Sequence, residues 1–279
     1  MIDLHLHTTA SDGRSTPERL IERAARRGIR TCAVTDHDTV AGLERARLTG
    51  ERVGVRVMAG IEITAVADRV DVHMLGYFFD PAHAELADFL TVQREDRKRR
   101  ITEMLDRLET LGVVLPREPI LSQARKSAGK AIGRPAIARQ LVALGHARDI
   151  NDAFERYLAV GRPAFIARRG ATPAEVVKLI ARAGGVSSFA HPGKLGLDDQ
   201  LAPLAAAGLN AIEVFHPDHD QAATQKYAEM ARSLGLAASG GSDYHGPSAG
   251  RTDALGQVTL PAEAFDELWR RAPRLGPAA

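Results

Sequence analysis

Two histidines and an aspartate near the start of the chain have a spacing that could bind a metal ion. In MIDLHLHTTASDG, His5 and His7 are one residue apart, and Asp12 follows five residues later. If the first residues form a β-strand, alternate side chains point to opposite faces, so both imidazoles lie opposite Leu4 and Leu6. The alternative is a half-exposed edge strand with two surface histidines. The rest of the chain must distinguish the two.

Further imidazoles and carboxylates follow other apolar, β-branched runs of the sequence. Seven of the ten histidines lie in or just after such runs. The carboxyl ends of parallel strands meet at one rim of an α/β fold, where these folds hold their chemistry. Besides the first three residues, this rim is expected to carry Asp36, His37, Asp38, Glu62, His73, His191, His216, Asp243 and His245.

Each of these residues, taken alone, also has a structural explanation. His73 could be a hydrogen-bonded core histidine, Glu62 could form a salt bridge, and Asp12 or Asp38 could cap a helix. Together, however, converging imidazoles and carboxylates would bury unpaired polar groups, and bound cations would remove that cost. The combination therefore predicts a multinuclear metal site.

The ligand types favour manganese, with zinc or iron as alternatives. Imidazoles and carboxylates without thiolates suit Mn²⁺, Fe²⁺ or Zn²⁺ better than Ca²⁺ or Mg²⁺. Nine ligands are too many for one ion, so two or three divalent ions are expected, with Glu62 as the bridging carboxylate.

Alternating strands and helices would position these residues. A helix is predicted from Pro17 to Arg27, with Thr16 as its cap, and strands are predicted in GIRTCAVTDHD, VRVMAGIEIT and VDVHMLGYFF. Further strand and helix patterns alternate after residue 170. Alternation at these lengths predicts parallel βαβ units in an α/β barrel or open sheet.

The middle of the chain interrupts this alternation. Residues 88–112 read as one long helix with Leu90, Ile101 and Leu108 on its apolar side, and further helical segments are expected around 131–145 and 150–159. The predicted organisation is a barrel in two parts, 1–90 and 166–279, joined through a small helical insertion at 91–165.

Charge is unevenly distributed between the insertion and the barrel. Residues 92–170 carry 17 lysines and arginines against 9 acidic residues, whereas the remainder carries 20 against 26. A basic segment in an otherwise acidic chain indicates either a polyanion-binding surface or a solvated basic face.

The bulk composition excludes several other classes of protein. No apolar run approaches the roughly 18 residues that a membrane span needs. The single cysteine, Cys32, excludes a disulfide framework and reads as a buried core thiol. A cleaved leader would remove the strand that carries His5 and His7. These features predict a cytoplasmic protein without a membrane partner.

Six motifs resemble the PHP (polymerase and histidinol phosphatase) superfamily of metal-dependent phosphoesterases. They are DLHLHTTASDG, AVTDHDTVAG, GIEIT, VHMLGY, FAHPGK and GSDYHG, and they flank the insertion on both sides. Within the superfamily, the chain is most similar to the branch that hydrolyses nucleoside 3′,5′-bisphosphates and short RNA 5′ ends, which includes RNase AM. That branch has a helical insertion with patterns like GRP…IAR and YLAVGRPAFI.

The resemblance implies a distorted (β/α)7 barrel and three ion sites. One ion would be held by His5, His7, Glu62 and Asp243, a second by Glu62, His73 and His191, and a third by Asp12, His37 and His245. Two positions depart from the family pattern: Ala136 stands where many members have histidine, and Phe165 where many have tyrosine. Both departures lie in the insertion, so they bear on substrate choice rather than on the metal chemistry.

The predicted reaction is hydrolysis of a phosphomonoester by a hydroxide that bridges two ions. Glu62 and Arg134 are the predicted catalytic residues, because arginine suits the charge of a phosphoryl group. The leaving-group acid is open among metal-bound water, His216 and Asp36. The predicted substrate-binding residues are Arg97, Arg100, Arg134, Lys194 and His216.

A second phosphate on the substrate would explain the basic insertion. The predicted partner is a nucleotide bisphosphate or a short RNA 5′ end; no DNA partner is expected, and the oligomeric state is open. The alternatives are a phosphatase of the same superfamily acting on histidinol phosphate or another small molecule, an amidohydrolase, and a non-catalytic metal-binding module.

Overall fold

Seven strands form one sheet that curls almost into a closed barrel. The computed structural model describes residues 1–68, 70–125, 133–194, 196–247 and 254–273. The strands are hydrogen-bonded in chain order from β1 to β7. Their bounds are β1 Ile2–Leu6, β2 Thr31–Val34, β3 Arg56–Ala67, β4 Val70–Tyr77, β5 Val186–Phe189, β6 Ala211–Phe215 and β7 Ala237–Gly240.

The sheet is mixed, so the prediction of purely parallel units was wrong for one strand. β3 and β4 form an antiparallel hairpin, and β4 also pairs antiparallel with β5, whereas the other neighbours are parallel. The two strands are too close in sequence for a crossover helix, so the chain must turn back directly. As a result Glu62 lies in the middle of β3, not at its end, and the register pairs Thr64 with His73.

The first and last strands approach each other and nearly close the barrel. The His7 amide donates to the Tyr244 carbonyl at 3.0 Å, just beyond the end of β7. This close approach requires a glycine at position 241, since a Cβ there would lie 2.4 Å from the His5 backbone nitrogen. The predicted barrel fold is confirmed, with one reversed strand.

Both faces of β1 are buried, which excludes the reading of two surface histidines. Leu4 and Leu6 pack outward against the surrounding helices. His5 and His7 point to the barrel interior and are each 0% exposed. Since buried imidazoles need partners, this strand already indicates a polar cluster inside the barrel.

Helices cover the outside of the barrel and build the insertion. The first begins at Pro17 under a Thr16 cap, as predicted, with the Thr16 side chain accepting from the Arg19 amide. The helices are α1 Pro17–Arg26, α2 Leu43–Val53, α3 Ala84–Thr110, α4 Arg117–Arg125, α5 Arg134–Ala143, α6 Ile150–Ala153, α7 Pro173–Arg182, α8 Leu201–Ala206, α9 Gln221–Ser233 and α10 Ala262–Arg270.

The insertion has a hydrophobic core of its own, which begins on the long helix α3. Leu86 and Leu90 of α3 pack on the barrel, whereas Ile101 and Leu108 belong to a separate apolar cluster with residues of α5. The predicted boundary at residue 90 therefore falls inside one continuous helix. The helix predicted around 131–145 is α5, and its residues 131–132 lie outside the described part of the chain. The segment predicted at 150–159 is α6 followed by a π-helical turn, Phe154–Leu158.

Within the described residues, no helix is both long enough and apolar enough to cross a membrane. Cys32 is buried in the outer apolar layer around β1 and β2, as expected for a core thiol, and burial raises the pKa of its side chain.

Candidate metal centre and basic pocket

Glu62 lies at the centre of a ring of imidazoles inside the rim of the barrel. Its carboxylate is 1% exposed. One oxygen, Oε1, lies 2.7 Å from His73 Nδ1 and 3.1 Å from His191 Nε2. The other, Oε2, is 3.2–3.3 Å from ring nitrogens of His5, His7 and His37. A carboxylate with each oxygen facing a different set of nitrogens has the arrangement expected of a bridging ligand.

Asp243 faces the same space from the end of β7. Its Oδ1 lies 3.4 Å from His5 Nε2 and 3.2 Å from His7 Nε2. One ligand atom each from His5, His7 and Asp243 lies within 4.8 Å of the others, and so does one each from His37, Glu62 and His73. Both groups have the compactness that a single ion requires.

A third group lies at the outer end of the cluster. It combines His7, Asp12, His37 and His245, again with ligand atoms within 4.8 Å of one another. His245 Nδ1 donates to the Asp243 carbonyl at 2.8 Å, which leaves its Nε2 facing Asp12 Oδ1 at 3.4 Å. The resemblance assigned three of these four residues to one ion; the structure adds the His7 ring to their surroundings.

Unpartnered nitrogens show that these residues fit metal ions. Among the described residues, His7 Nδ1 and Nε2, His37 Nδ1 and His191 Nδ1 are buried without a hydrogen-bond partner. His7 Nε2 and His37 Nδ1 nevertheless lie within about 3.3 Å of carboxylate oxygens. Buried imidazole lone pairs of this kind are costly unless something binds them, and a divalent cation would bind both the nitrogens and the carboxylates.

Glu213 on β6 supports the cluster from behind. Its Oε1 is 2.7 Å from His5 Nδ1, and its Oε2 accepts from the His191 amide at 2.7 Å. The carboxylate holds the His5 proton on Nδ1 and leaves Nε2 as a lone pair toward Glu62 and Asp243. Glu213 is not among the site residues predicted from the sequence. Its signal was a single acid within an apolar strand, AIEVF, where every residue up to Val214 is buried.

Backbone strain marks the same rim. His191, Asp243 and Asp38 have positive φ angles of 28°, 47° and 49°, in the left-handed region that side chains other than glycine rarely adopt. Each such residue costs of order 1–3 kcal/mol, and the surrounding hydrogen bonds must hold it in place. Two predicted ligands are therefore held in strained conformations.

His216 and Lys194 line the cleft beside Asp243. His216 Nδ1 accepts from the Asp218 amide at 3.0 Å, so in the neutral ring Nε2 carries the proton, and it lies 3.3 Å from Asp243 Oδ2. His216 thus presents a donor to the cleft, not a lone pair. Lys194 Nζ lies 3.1 Å from the same Asp243 oxygen and 3.0 Å from Asp218.

Asp36 does not face this cleft. Its Oδ1 accepts from the Thr8 amide at 2.8 Å and from Ser11 Oγ at 2.6 Å, and its Oδ2 accepts from Thr8 Oγ1 at 2.7 Å. The carboxylate therefore anchors the loop that carries Asp12. This contact makes Asp36 unsuitable as the leaving-group acid.

A basic pocket lies beside the metal cluster, under the insertion. Its cavity of about 180 Å³ shares His37 and His73 with the metal cleft and is also lined by Arg97, Arg100 and Arg134. Arg97 Nε donates to Asp38 Oδ2 at 2.5 Å, and its Nη2 donates to Thr64 Oγ1 at 3.0 Å. Arg97, one helical turn before Ile101, points inward and is buried.

Arg100 and Arg134 meet at Asp71. Arg100 Nη1 lies 2.8 Å and Arg134 Nη2 lies 3.2 Å from Asp71 Oδ2. Burial opposes ionisation of Asp71, but the neighbouring guanidiniums, Arg100 first, lower its pKa to about 2. Arg100 Nη2 is buried without a hydrogen-bond partner, so one donor of this pair is unsatisfied.

Arg168 is a fourth arginine of this pocket, and the sequence analysis did not single it out. Its Nη1 lies 3.4 Å from Asp38, and its Nε is buried without a hydrogen-bond partner. Burial and the nearby Arg97 lower its pKa to about 10, which leaves the guanidinium charged at neutral pH. The only signal for it was its place in the basic segment, which many exposed arginines share.

The two departures from the family pattern lie in different surroundings. Phe165 presents its ring to Arg100 and Arg134, whose guanidinium carbons are 5.5 Å and 6.0 Å from the ring centroid. Ala136 is buried in the apolar core of the insertion. Phe165 therefore contacts two arginines that line the basic pocket, whereas Ala136 contributes a small side chain to packing.

Comparison with known proteins identifies the family. Residues 3–160 match the PHP domain. The chain belongs to the PHP domain family. This membership, together with the fold and the rim cluster, makes it a metal-dependent phosphoesterase by class.

Its similar relatives act on different phosphate esters. The chain is 35% identical to the 3′,5′-nucleoside bisphosphate phosphatase of Chromobacterium violaceum, covering 93% of this chain and 92% of that protein. It is 36% identical to the 5′-3′ exoribonuclease Rnm of Salmonella typhimurium, covering 88% and 85%. It is also 36% identical to a phosphoribosyl 1,2-cyclic phosphate 1,2-diphosphodiesterase of Eggerthella lenta, covering 88% and 94%.

A solved structure agrees with the fold over the whole chain. A protein of Bifidobacterium adolescentis, provisionally described as a metal-dependent phosphoesterase, superimposes with a TM-score of 0.88 at 32% identity. The match covers 98% of this chain and 97% of that one. The insertion as well as the barrel is therefore shared with a known structure.

Proposed function

We propose that this enzyme hydrolyses the 3′-phosphate of nucleoside 3′,5′-bisphosphates and the equivalent bond at the 5′ end of short 5′-phosphorylated RNA. One observation carries this proposal: a pocket lined by four buried or half-buried arginines opens directly beside the imidazole–carboxylate cluster. A substrate with two phosphates could place one in each, and two relatives of this chain are named for such substrates.

The cluster would hold two or three divalent ions, with manganese the first choice and zinc or iron as alternatives. His5, His7, Glu62 and Asp243 would bind one ion, and Glu62, His73 and His191 a second. His7 also borders the third set, Asp12, His37 and His245. When bound, such ions lower the pKa of water and stabilise negative charge on phosphoryl oxygens.

The side chains of the chain itself would position the ester. Arg134 and the unpartnered Nη2 of Arg100 would hold the 5′-phosphate, and Arg97 and Arg168 would supply positive charge behind them. His216 Nε2 and Lys194 would donate to the phosphate in the cleft, from the side of Asp243. Either is better placed than Asp36 to act near the leaving oxygen. Phe154 and Phe165 would keep Arg134 in place through their ring faces.

The experiment is an assay of phosphate release and nucleotide release with Mn²⁺-loaded protein. The substrates are adenosine 3′,5′-bisphosphate, 3′-AMP, histidinol phosphate, a phosphoribosyl 1,2-cyclic phosphate and a 5′-phosphorylated RNA trimer. The bisphosphate should be preferred over 3′-AMP by about tenfold or more, since a charge-assisted contact to the second phosphate contributes about 1.5–3 kcal/mol. Equal rates on these two would contradict the role given to the basic pocket.

The cyclic phosphate tests a second candidate function. One relative with 36% identity is named for such a substrate, and its match covers nearly its whole length. A preference for the cyclic phosphate, or for histidinol phosphate, would replace the nucleotide proposal while leaving the class of metal-dependent phosphoesterase unchanged.

A further inference from the structure

A second groove leaves the metal cleft on the side away from the basic pocket. The cleft cavity, about 330 Å³, is bordered there by Lys194, Asp243 and His245. The same three residues line an adjoining cavity of about 630 Å³ that extends to Arg14. Arg14 in turn lines a third cavity, of about 370 Å³, along the surface of α1. The shared residues place these cavities next to one another, in a series from the reaction site to α1.

The far end of this path is strongly basic. Arg19, Arg23 and Arg26 line it from α1, at intervals that place them on one side of a helix. Arg19 and Arg26 are exposed, and Arg23 lies half-buried against the Tyr244 ring. Among the described residues that line this cavity, the only acid is Glu22, and it is already paired with Arg52 of α2 at 3.2 Å.

Glu18 does not offset this charge either, because it forms a two-pronged pair with Arg45. Arg45 Nε and Nη2 contact the two Glu18 oxygens at 2.5 Å and 2.9 Å. The acids of α1 are thus neutralised from α2, on one side, while the arginines of α1 remain along the groove. This segregation leaves a stripe of excess positive charge on α1, whereas the cavity between this stripe and the cleft is also lined by the acids Asp149 and Asp218.

The chemistry of the proposed reaction gives this stripe a ligand. In a bisphosphate, water adds to the 3′-phosphorus and the 3′-oxygen leaves, which yields a 3′-hydroxyl and free phosphate. In RNA the same bond breaks, but the phosphate that receives the water oxygen stays on the 5′-oxygen of the next nucleotide. The downstream strand is therefore attached to the phosphorus in the cleft. It must leave on the side not occupied by the 5′-phosphate in the basic pocket.

We propose that this groove, defined by Lys194, Arg14, Arg19, Arg23 and Arg26, binds the sugar–phosphate backbone of single-stranded RNA downstream of the scissile bond. The inference rests on the proposed function for the direction in which the strand runs. Within the described part of the chain, the one aromatic ring at the stripe is that of Tyr244, which is 3% exposed, so recognition is through phosphates and not through base stacking. Mononucleotide substrates would not reach the part of the groove beyond Lys194.

The test compares binding of long and short ligands to a charge-reversed groove. Mn²⁺-loaded protein is titrated by fluorescence anisotropy with a 5′-phosphorylated RNA decamer and with the corresponding dinucleotide. In both, a methylene group replaces the first bridging 3′-oxygen to prevent cleavage. The R19E/R26E variant should bind the decamer about tenfold more weakly than wild type, with a salt dependence lower by about 1–2 in slope. Dinucleotide binding and bisphosphate hydrolysis should stay within about twofold.

The matched control is K178E/R232E, which makes the same change in charge at two exposed positions on α7 and α9. Equal weakening of decamer binding by both variants, or equal loss of decamer and dinucleotide binding, would overturn the inference. If thermal melting shows that R19E/R26E is unfolded, R19Q/R26Q gives the same comparison with a smaller change. Binding does not require turnover, so failure of wild type to hydrolyse these substrates would refute the proposed function separately.

Discussion

The barrel rim and the insertion pocket hold their charges in opposite ways. At the rim, carboxylates and imidazoles face a common space, and several nitrogens are buried without a partner. In the pocket, Asp38 and Asp71 are each shared between arginines. The rim is incomplete without cations, whereas the pocket is already largely paired. An anion would gain from the pocket only what the unpartnered guanidinium nitrogens offer.

This difference predicts that damage at the rim is more severe and less selective than damage in the pocket. Loss of a rim ligand should affect every substrate, because it removes the chemistry itself. Loss of a pocket arginine should affect only substrates with a second phosphate. The four changes below test that contrast, from the largest expected effect to the smallest.

The first change is Glu62→Gln at the centre of the rim. An amide cannot bind two ions with both atoms as a carboxylate does, and it would place a donor toward neighbouring imidazoles. Turnover should fall by about 10³-fold or more on bisphosphate and monophosphate alike. The measurement is kcat on both substrates, with bound metal counted by elemental analysis. Full activity would remove Glu62 from its bridging role.

The second change is Arg134→Ala in the pocket. It removes a side chain that contacts Asp71 and packs on two phenylalanine rings. The KM for the bisphosphate should rise by about 10- to 100-fold, from loss of a charge-assisted contact. The rate on 3′-AMP should change by about twofold at most. A similar loss on both substrates would place Arg134 with the rim and not with the second phosphate.

The third change is Glu213→Gln, behind His5. The amide can still contact the ring but no longer fixes its proton by charge, so metal affinity should fall by about 10-fold. Isothermal titration with Mn²⁺ measures this directly. Saturating metal should restore most of the turnover, in contrast to Glu62→Gln. Failure of excess metal to restore activity would mean that Glu213 does more than position His5.

The fourth change is Asp71→Asn, which leaves the pocket arginines with one carboxylate fewer. Unfolding free energy should fall by about 1–3 kcal/mol, because buried guanidiniums lose a partner. The bisphosphate should then stabilise the variant more than it stabilises wild type, since the ligand supplies the missing negative charge. Thermal melting with and without ligand measures both effects. An unchanged melting temperature would show that solvent or neighbouring acids replace Asp71.

The residues that meet at the rim could be predicted from the sequence far better than those that line the pocket. Each predicted ligand comes from a short motif at a strand, such as HLH or SDYH, so the strand pattern was enough to bring them to one rim. Glu213 was not predicted because it is a single acidic residue in an apolar strand, without a second potential ligand at a short spacing from it. The antiparallel direction of β4 was not predicted either, since the apolar pattern around His73 is the same for a strand of either direction.

The pocket was harder to predict from the sequence because an arginine side chain can be solvated at the surface and does not have to be buried. The charge excess of residues 92–170 indicated the region that holds the pocket, and the position of Arg97 one helical turn before Ile101 allowed it to face inward. Nothing in the sequence separated Arg168 from the exposed Arg169 beside it. Their partners, Asp38 and Asp71, lie far away in the chain, on the barrel.

The continuity of α3 has a mechanical consequence. At 27 residues, this helix is about 40 Å long. Leu86 and Leu90 pack its first turns on the barrel, and its last turns contribute apolar residues to the insertion core. Because one continuous helix joins the barrel to the insertion, the insertion cannot swing away from the basic pocket at that junction unless the helix bends. Substrates and products should therefore enter and leave the metal cleft through its open sides, without movement of the insertion as a lid.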